Sequence, residues 1–180
     1  MSRPRFLALA ALVLCLSLGG ATVAEASHRA SFNPTDARFA QKMRPHHLQA
    51  VRMAREEIAR GSDPQVKALA VSIMVSQTKE AAQLHRFIRT FGQRQQPAPR
   101  DQQARWDQNF REMQVSSAER ADVVFLTNMV PHHGAAIPMA QLELERGEYR
   151  PAQRLARKIK GTQLLEIGLM KAALRERALR

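Results

Sequence analysis

The 180-residue sequence holds one cysteine, one tryptophan and one tyrosine. A single thiol excludes a disulfide framework, a cysteine-based zinc site and a thiolate-held iron–sulfur cluster. Aromatic residues make up only 5% of the chain. That argues against a β-sandwich, whose strands favour aromatic and β-branched residues. It also leaves no stacking platform for single-stranded nucleic acid, so nucleic acid is not an expected partner. What is present is a 44% apolar share, enough for a core and too rich for a disordered tail. The length suits about one domain. The formal charge is +12. Its basic residues are scattered, which reads as a solvated surface whose acidic neighbours would be lipid head groups or envelope polyanions. Eight methionines and six histidines are the feature that remains to be explained.

Residues 1–26 read as a secretory signal peptide. Arg3 and Arg5 form the positive start, Phe6 to Leu18 an apolar run, and Ala24-Glu25-Ala26 an A-x-A-like cleavage site. The run falls short of the roughly 20 residues that a membrane span needs. Cys15 follows Leu14, where a lipoprotein signal wants a small residue. Cleavage after Ala26 would remove the only cysteine and leave 180 − 26 = 154 residues. The expected destination is the periplasm, or the exterior of a cell without one.

The mature part contains one unit written twice. Residues 36–90 align without gaps on 122–176, at an offset of 122 − 36 = 86, and 18 of 55 positions are identical. Asp36, Met43, Pro45, His46, His47, Met53, Glu57 and Gly61 recur as Asp122, Met129, Pro131, His132, His133, Met139, Glu143 and Gly147. Further along, Gln77 and Glu80 recur as Gln163 and Glu166. Each copy reads as a helical hairpin. Asn33-Pro34 offers an N-cap with proline at the first helical position. Ser116-Ser117-Ala118-Glu119 offers a capping box. Gly61 and Gly147 end the first helices, and the second helices are expected over about 64–91 and 150–178. The expected organisation is a single domain over 27–180, with repeat 1 at about 33–91, a linker over 92–115 and repeat 2 at about 116–178. Within the linker, 104–115 has a helical spacing of Trp106, Phe110 and Met113. The expected fold is all-α, a four-helix bundle built from two duplicated hairpins.

At about 100° per residue, Asp36, Met43, His46, His47, Met53 and Glu57 share one helix face. Pro45 lies opposite and is expected to kink the helix just before the histidines. On the second helices, Gln77 and Glu80, like Gln163 and Glu166, interrupt an apolar stripe. Buried polar groups need partners, and the facing helix offers imidazoles. Imidazole suits copper, zinc, iron and nickel, whereas thioether sulfur selects Cu(I). The spacings Met43/His46 and Met43/His47 let their side chains meet. The candidate metal ligands are therefore Met43, His46, His47 and Met53 with Met129, His132, His133 and Met139. Gln77, Glu80, Gln163 and Glu166 would stand behind them and hold the ring tautomers. Copper is the expected cofactor or cargo, with Cu(I) favoured and Cu(II) open to the histidine pairs alone. A copper-accepting envelope protein would be the natural partner.

The strings from Met43 to Ala54 and from Phe125 to Ala140 resemble the signature of domain-of-unknown-function family 305. Its members have a ferritin-like helical bundle and include periplasmic copper-binding proteins of the CopM type. The resemblance implies that fold, and copper binding by the matching Met and His residues. Pro138, Gly161, Gly168 and Arg44 depart from the family pattern. Two other readings stay open. One is a metal-free envelope interaction or stress bundle with a hydrogen-bonded His/Gln/Glu core. The other is a metal-dependent oxidoreductase, which the missing Glu-x-x-His carboxylate set disfavours. No catalytic residue is assigned.

Overall fold

The computed structural model describes residues 31–179. The expected signal peptide, with Cys15 and His28, lies outside them. The described residues form five helices and no strand: α1 Pro34–Arg60, α2 Pro64–Thr90, α3 Arg100–Val115, α4 Ala118–Arg146 and α5 Arg150–Ala178. None of these helices is long and apolar enough to cross a membrane.

Their ends follow local chemistry. Asn33 caps α1 through its side chain, Pro34 opens the helix, and Asp36 returns a bond to the Asn33 N–H at 2.6 Å, closing a capping box. At α4 the cap is single: Ser117 Oγ accepts from the Arg120 N–H. The reciprocal box expected over Ser116 to Glu119 does not form, because the cap falls on Ser117 and the third helical residue is then Arg120, whose side chain has no acceptor. α3 begins at Arg100, a turn earlier than the apolar spacing predicts, directly after Pro99. Both α1 and α4 continue through their prolines without a break.

α1 packs on α2 and α4 on α5, and the two hairpins meet mainly through α1 against α4. α2 and α5 touch more lightly, and α3 lies across α1 and α4. The core divides into two clusters. One holds Phe39, Met43, Leu84, Phe87, Ala136 and Ile159, among others. The second holds Met53, Ile73, Met113, Phe125, Met129 and Met170, among others. Each such side chain contributes about 1.5–3 kcal/mol on burial.

The hairpins are tied at crossed corners. Asp36, wholly buried in α1, accepts from the N–H groups of Glu148 (3.2 Å) and Tyr149 (2.9 Å) in the turn between α4 and α5. Asp122 in α4 accepts from Ser62 N–H (3.0 Å), Ser62 Oγ (2.7 Å) and Asp63 N–H (3.1 Å) in the turn between α1 and α2. Each aspartate also faces a buried glutamate from the other hairpin, Asp36 with Glu143 and Asp122 with Glu57. No other donor reaches these glutamates. Two carboxylates cannot share a hydrogen bond, so the glutamate carries a proton and donates it. Burial and the neighbouring aspartate push Glu57 up to about 8 and Glu143 up to about 9. Burial works against ionisation of Asp36 and Asp122 too, but the hydrogen bonds that they accept outweigh it and hold both below the usual range.

Gly61 and Gly147 sit in these corners with φ of −59° and −72°, which any residue can adopt. What they supply is space. A Cβ on Gly61 would press on the Glu57 carboxylate and lie 2.6 Å from Asp122 Oδ1, and one on Gly147 would lie 2.6 Å from Glu143 Cδ. Among the described residues only Gly92, at φ 64°, uses the left-handed region, where it closes α2.

Candidate metal centre

The docking of α1 on α4 brings the four repeated histidines together. The His46 and His132 rings, one from each repeat, face each other with centroids 3.8 Å apart and planes inclined by 35°. His47 and His133 flank them at 6.4 and 6.2 Å from their sequence neighbours. The outer rings reach the second helices: His47 Nε2 lies 2.9 Å from Glu80 Oε2, and His133 Nε2 lies 2.8 Å from Glu166 Oε2. A carboxylate only accepts, so each Nε2 carries a proton, and in a neutral ring of that tautomer Nδ1 is the nitrogen with the lone pair. Lys158 Nζ stands 3.3 Å from Glu80 Oε1. Its repeat mate is Ser72, since 158 − 86 = 72, so Glu166 has no matching cation.

Six buried ring nitrogens have no hydrogen-bond partner: both on His46, both on His132, and Nδ1 of His47 and His133. Burial and then the neighbouring rings lower His46 to about 3 and hold His132 well below the usual histidine range. Both are thus neutral at physiological pH, the form in which imidazole binds a metal. Native interiors rarely leave buried polar atoms unpaired.

The methionines divide on either side of the histidines. Met43 belongs to one apolar cluster and Met139 packs against it. Met53 and Met129 belong to the other. Each group thus joins an early methionine of one copy to a late methionine of the other. Met43, Met53 and Met129 are buried, and Met139 is half-buried. Gln77 and Gln163 are buried too, with both side-chain polar atoms of Gln77 and Oε1 of Gln163 left unpaired. Among the described residues no three His, Cys, Asp or Glu side chains already converge on a metal position. The elements around the four imidazoles hold thioethers in the apolar clusters on either side, and a donor set drawn from both would suit a soft ion.

Trp106 roofs the site, a role its sequence position in the linker did not announce. Its ring lies 6.4 Å from His46 and 6.2 Å from His132. Gln49 donates to the Trp106 carbonyl at 3.3 Å, and Arg52 pairs with Asp107 at 2.9 Å while covering the Phe110 ring. The only signal in the sequence was the apolar spacing of α3. His85 is exposed and takes no part.

The sequence matches the family described as Domain of unknown function (DUF305) over residues 36–174, and the chain belongs to that family. The fold is similar to that of a DUF305 fragment from Deinococcus radiodurans, at 29% identity and a TM-score of 0.73, covering 80% of this chain and 97% of that one. A DUF305 protein from Streptomyces coelicolor, described as a presumed secreted protein, is 28% identical with a TM-score of 0.72 over 80% of this chain and 94% of that one. CopM in its Cu(I)-bound form is 25% identical with a TM-score of 0.65, over 78% of this chain and 96% of that one. CopM also has Cu(II)-bound and Ag-bound forms, at 27% identity. No protein of curated function is significantly similar in sequence.

Proposed function

We propose that this protein binds copper outside the cytoplasm, as Cu(I) by preference, and buffers or passes it on without catalytic turnover. The observation that carries the reading is the set of six buried imidazole nitrogens without partners. A neutral ring has one N–H and one lone pair, so these six nitrogens offer at most four lone pairs, one from each ring. Unpaired groups of this kind are costly, and a cation with empty orbitals is the partner such lone pairs fit. The ligands are drawn from His46, His47, His132 and His133 with Met43, Met53, Met129 and Met139. Glu80 and Glu166 fix the outer rings from behind, while Gln77 and Gln163 stand beside them with unspent hydrogen-bonding groups. Because His46 and His132 face one another, the two copies contribute to one joint centre. Copper-bound and silver-bound CopM, a structural relative, supports the choice of a soft ion. The frame is a ferritin-like four-helix bundle made of two duplicated hairpins over residues 27–180, delivered by a signal peptide at 1–26.

A metal-free interaction bundle would account for the outer His–Glu pairs, but it gives the central rings nothing to bind. The two readings part in a titration of the mature protein with Cu(I) against a competing chelator. A variant with His46, His47, His132 and His133 all changed to Ala should hold Cu(I) at least about 100-fold more weakly, beyond the 10–100-fold typical of losing a supporting residue. Equal affinity in both proteins would sink the copper reading.

A further inference from the structure

The pseudo-twofold gives the histidine centre two equivalent flanks, and the structure treats them differently. On one flank a cleft of about 500 Å³ reaches down between α1, α4 and the segment before α3. Exposed Arg38 and Lys42 stand at its rim, Pro45 and Ala135 line its sides, and His46 and Met139 line it further in. The repeat mates of Arg38, Ala135 and Met139 are Val124, Gln49 and Met53, by the same offset of 86. All three mates are buried, at 3%, 5% and 1% exposure. There α3 fills the corresponding space: Met113 joins Met53 and Val124 in one core cluster, and Gln49 is tied to the Trp106 carbonyl.

The open flank is held open by a strap. Pro45 has no N–H, so the Gln41 carbonyl four residues earlier is released from the helix ladder. That carbonyl accepts from Gln95 Nε2 at 2.9 Å, while Gln41 Nε2 donates to the Arg94 carbonyl at 2.7 Å. The two bonds pin residues 94–95 to α1, and Gln96, Pro97, Ala98 and Pro99 then run along the cleft wall. Proline in that stretch keeps the wall extended and stiff.

We infer that the cleft between Arg38, Ala135 and Met139 is the single port through which metal reaches and leaves the histidine centre, and that the carrier it meets there is anionic. The port presupposes the copper reading above. Its half-buried thioether, Met139, is the soft donor nearest solvent, and His46 is the imidazole behind it. A bare cation is repelled by Arg38 and Lys42, whereas a metal held by carboxylates is drawn in. On the other flank the thioethers of Met53 and Met129 are fully buried, and the exposed Arg52 is already paired with Asp107. The duplicated site therefore loads from one side only.

The test follows the rate of Cu(I) transfer from its anionic bicinchoninate complex to the full mature chain by stopped flow, with equilibrium affinity measured on the same samples. The series Ala135→Leu, Ala135→Phe and Ala135→Trp should slow uptake and release in step with side-chain size. Trp should reach about tenfold or more, with affinity changed by less than about threefold, since a blocked path alters both rates alike. Leu142→Trp, at an exposed position of α4 away from the cleft, should transfer at the wild-type rate. The double change Arg38→Glu with Lys42→Glu should slow uptake at low ionic strength, and the difference should shrink in high salt. Thermal melts of each variant separate blockage from unfolding. Wild-type rates in Ala135→Trp, with copper bound at wild-type affinity, would overturn the port. A salt-independent rate in the charge-reversed variant would overturn the anionic carrier. A wild-type protein that takes up no Cu(I) at all would bring down the copper reading and the port with it.

Discussion

The two corners that lock the hairpins share a plan and differ in their charges. At the first, Glu57 and Asp122 lie near Lys67 and Arg177, and Arg177 reaches Asp63 at 2.6 Å and Asp122 at 3.6 Å. At the second, no cation among the described residues acts on Glu143 or Asp36 in this way. Gln153 replaces Lys67 and donates to the Gly147 carbonyl at 2.7 Å, where Lys67 donates to that of Gly61 at 3.2 Å. Geometry has been kept where the backbone turns, and charge has been free to drift around it. Glu143 accordingly sits higher, at about 9, than Glu57, at about 8, because nearby cations favour the ionised form only at the first corner.

Substitution at the glycines should break the comparison most strongly. Gly61→Ala meets two carboxyl groups at once and should cost about 3 kcal/mol, near the top of the range for overpacking. Gly147→Ala meets the Glu143 carboxylate and, 2.6 Å away, the fixed Glu143 backbone oxygen, and should cost a similar amount, both read from urea unfolding. A change within about 0.5 kcal/mol of zero at either glycine would show that room for a Cβ is not what the corner requires.

The next effect concerns the histidine supports. Glu166→Gln should weaken Cu(I) binding by about tenfold, the low end for loss of a residue that orients a ligand. Glu80→Gln should do about the same, because the exposed Lys158 exchanges its ion pair for water at little cost. Chelator competition on both variants measures the ratio, and losses differing by more than about threefold would give Lys158 a part in holding the site.

The smallest effect is the pH slope. Both glutamates have folded values raised above the ordinary 4.5, so the folded state holds more protons than the unfolded one between that value and about 8–9. Stability should fall as pH rises through this window. Both aspartates are held low, so their contribution is present above about 3.8 and lost as pH falls below it. The most stable condition should therefore be mildly acidic. Glu143→Gln keeps a donor to Asp36 without a titrating proton and should flatten the slope more than Glu57→Gln. The gain near pH 9 should be of the order of 2–4 °C in Tm per kcal/mol for a chain of this size. Parallel slopes in wild type and Glu143→Gln would remove the shared proton from that corner.

Much of this was legible in the residues. Asn33-Pro34, Gly61 and Gly147 marked helix ends because caps and breakers act locally. The 86-residue offset marked the repeated positions, and helix-face arithmetic set Glu80 and Glu166 opposite imidazoles without saying which ring meets which carboxylate. The partners of Asp36 and Asp122 were not legible, although both stood among the repeated positions. An angle around a helix says which side is buried and not which chain segment covers it, and here the cover comes from the other copy. Trp106 escaped for a similar reason. Its place over His46 and His132 depends on how α3 settles on α1 and α4, a tertiary choice that helical spacing does not encode.

The crossed corners have a consequence for ancestry. Asp36 bonds the turn of the second hairpin and Asp122 that of the first, so each buried aspartate completes its hydrogen bonds only across the junction. Contacts in which patch one meets patch two and the reverse are those of an isologous dimer. A lone hairpin paired with an identical chain would close both corners and set one histidine from each face to face on the axis. The fused chain keeps that self-complementary interface while letting each half change independently, which is the condition under which one flank could acquire a roof and the other a doorway.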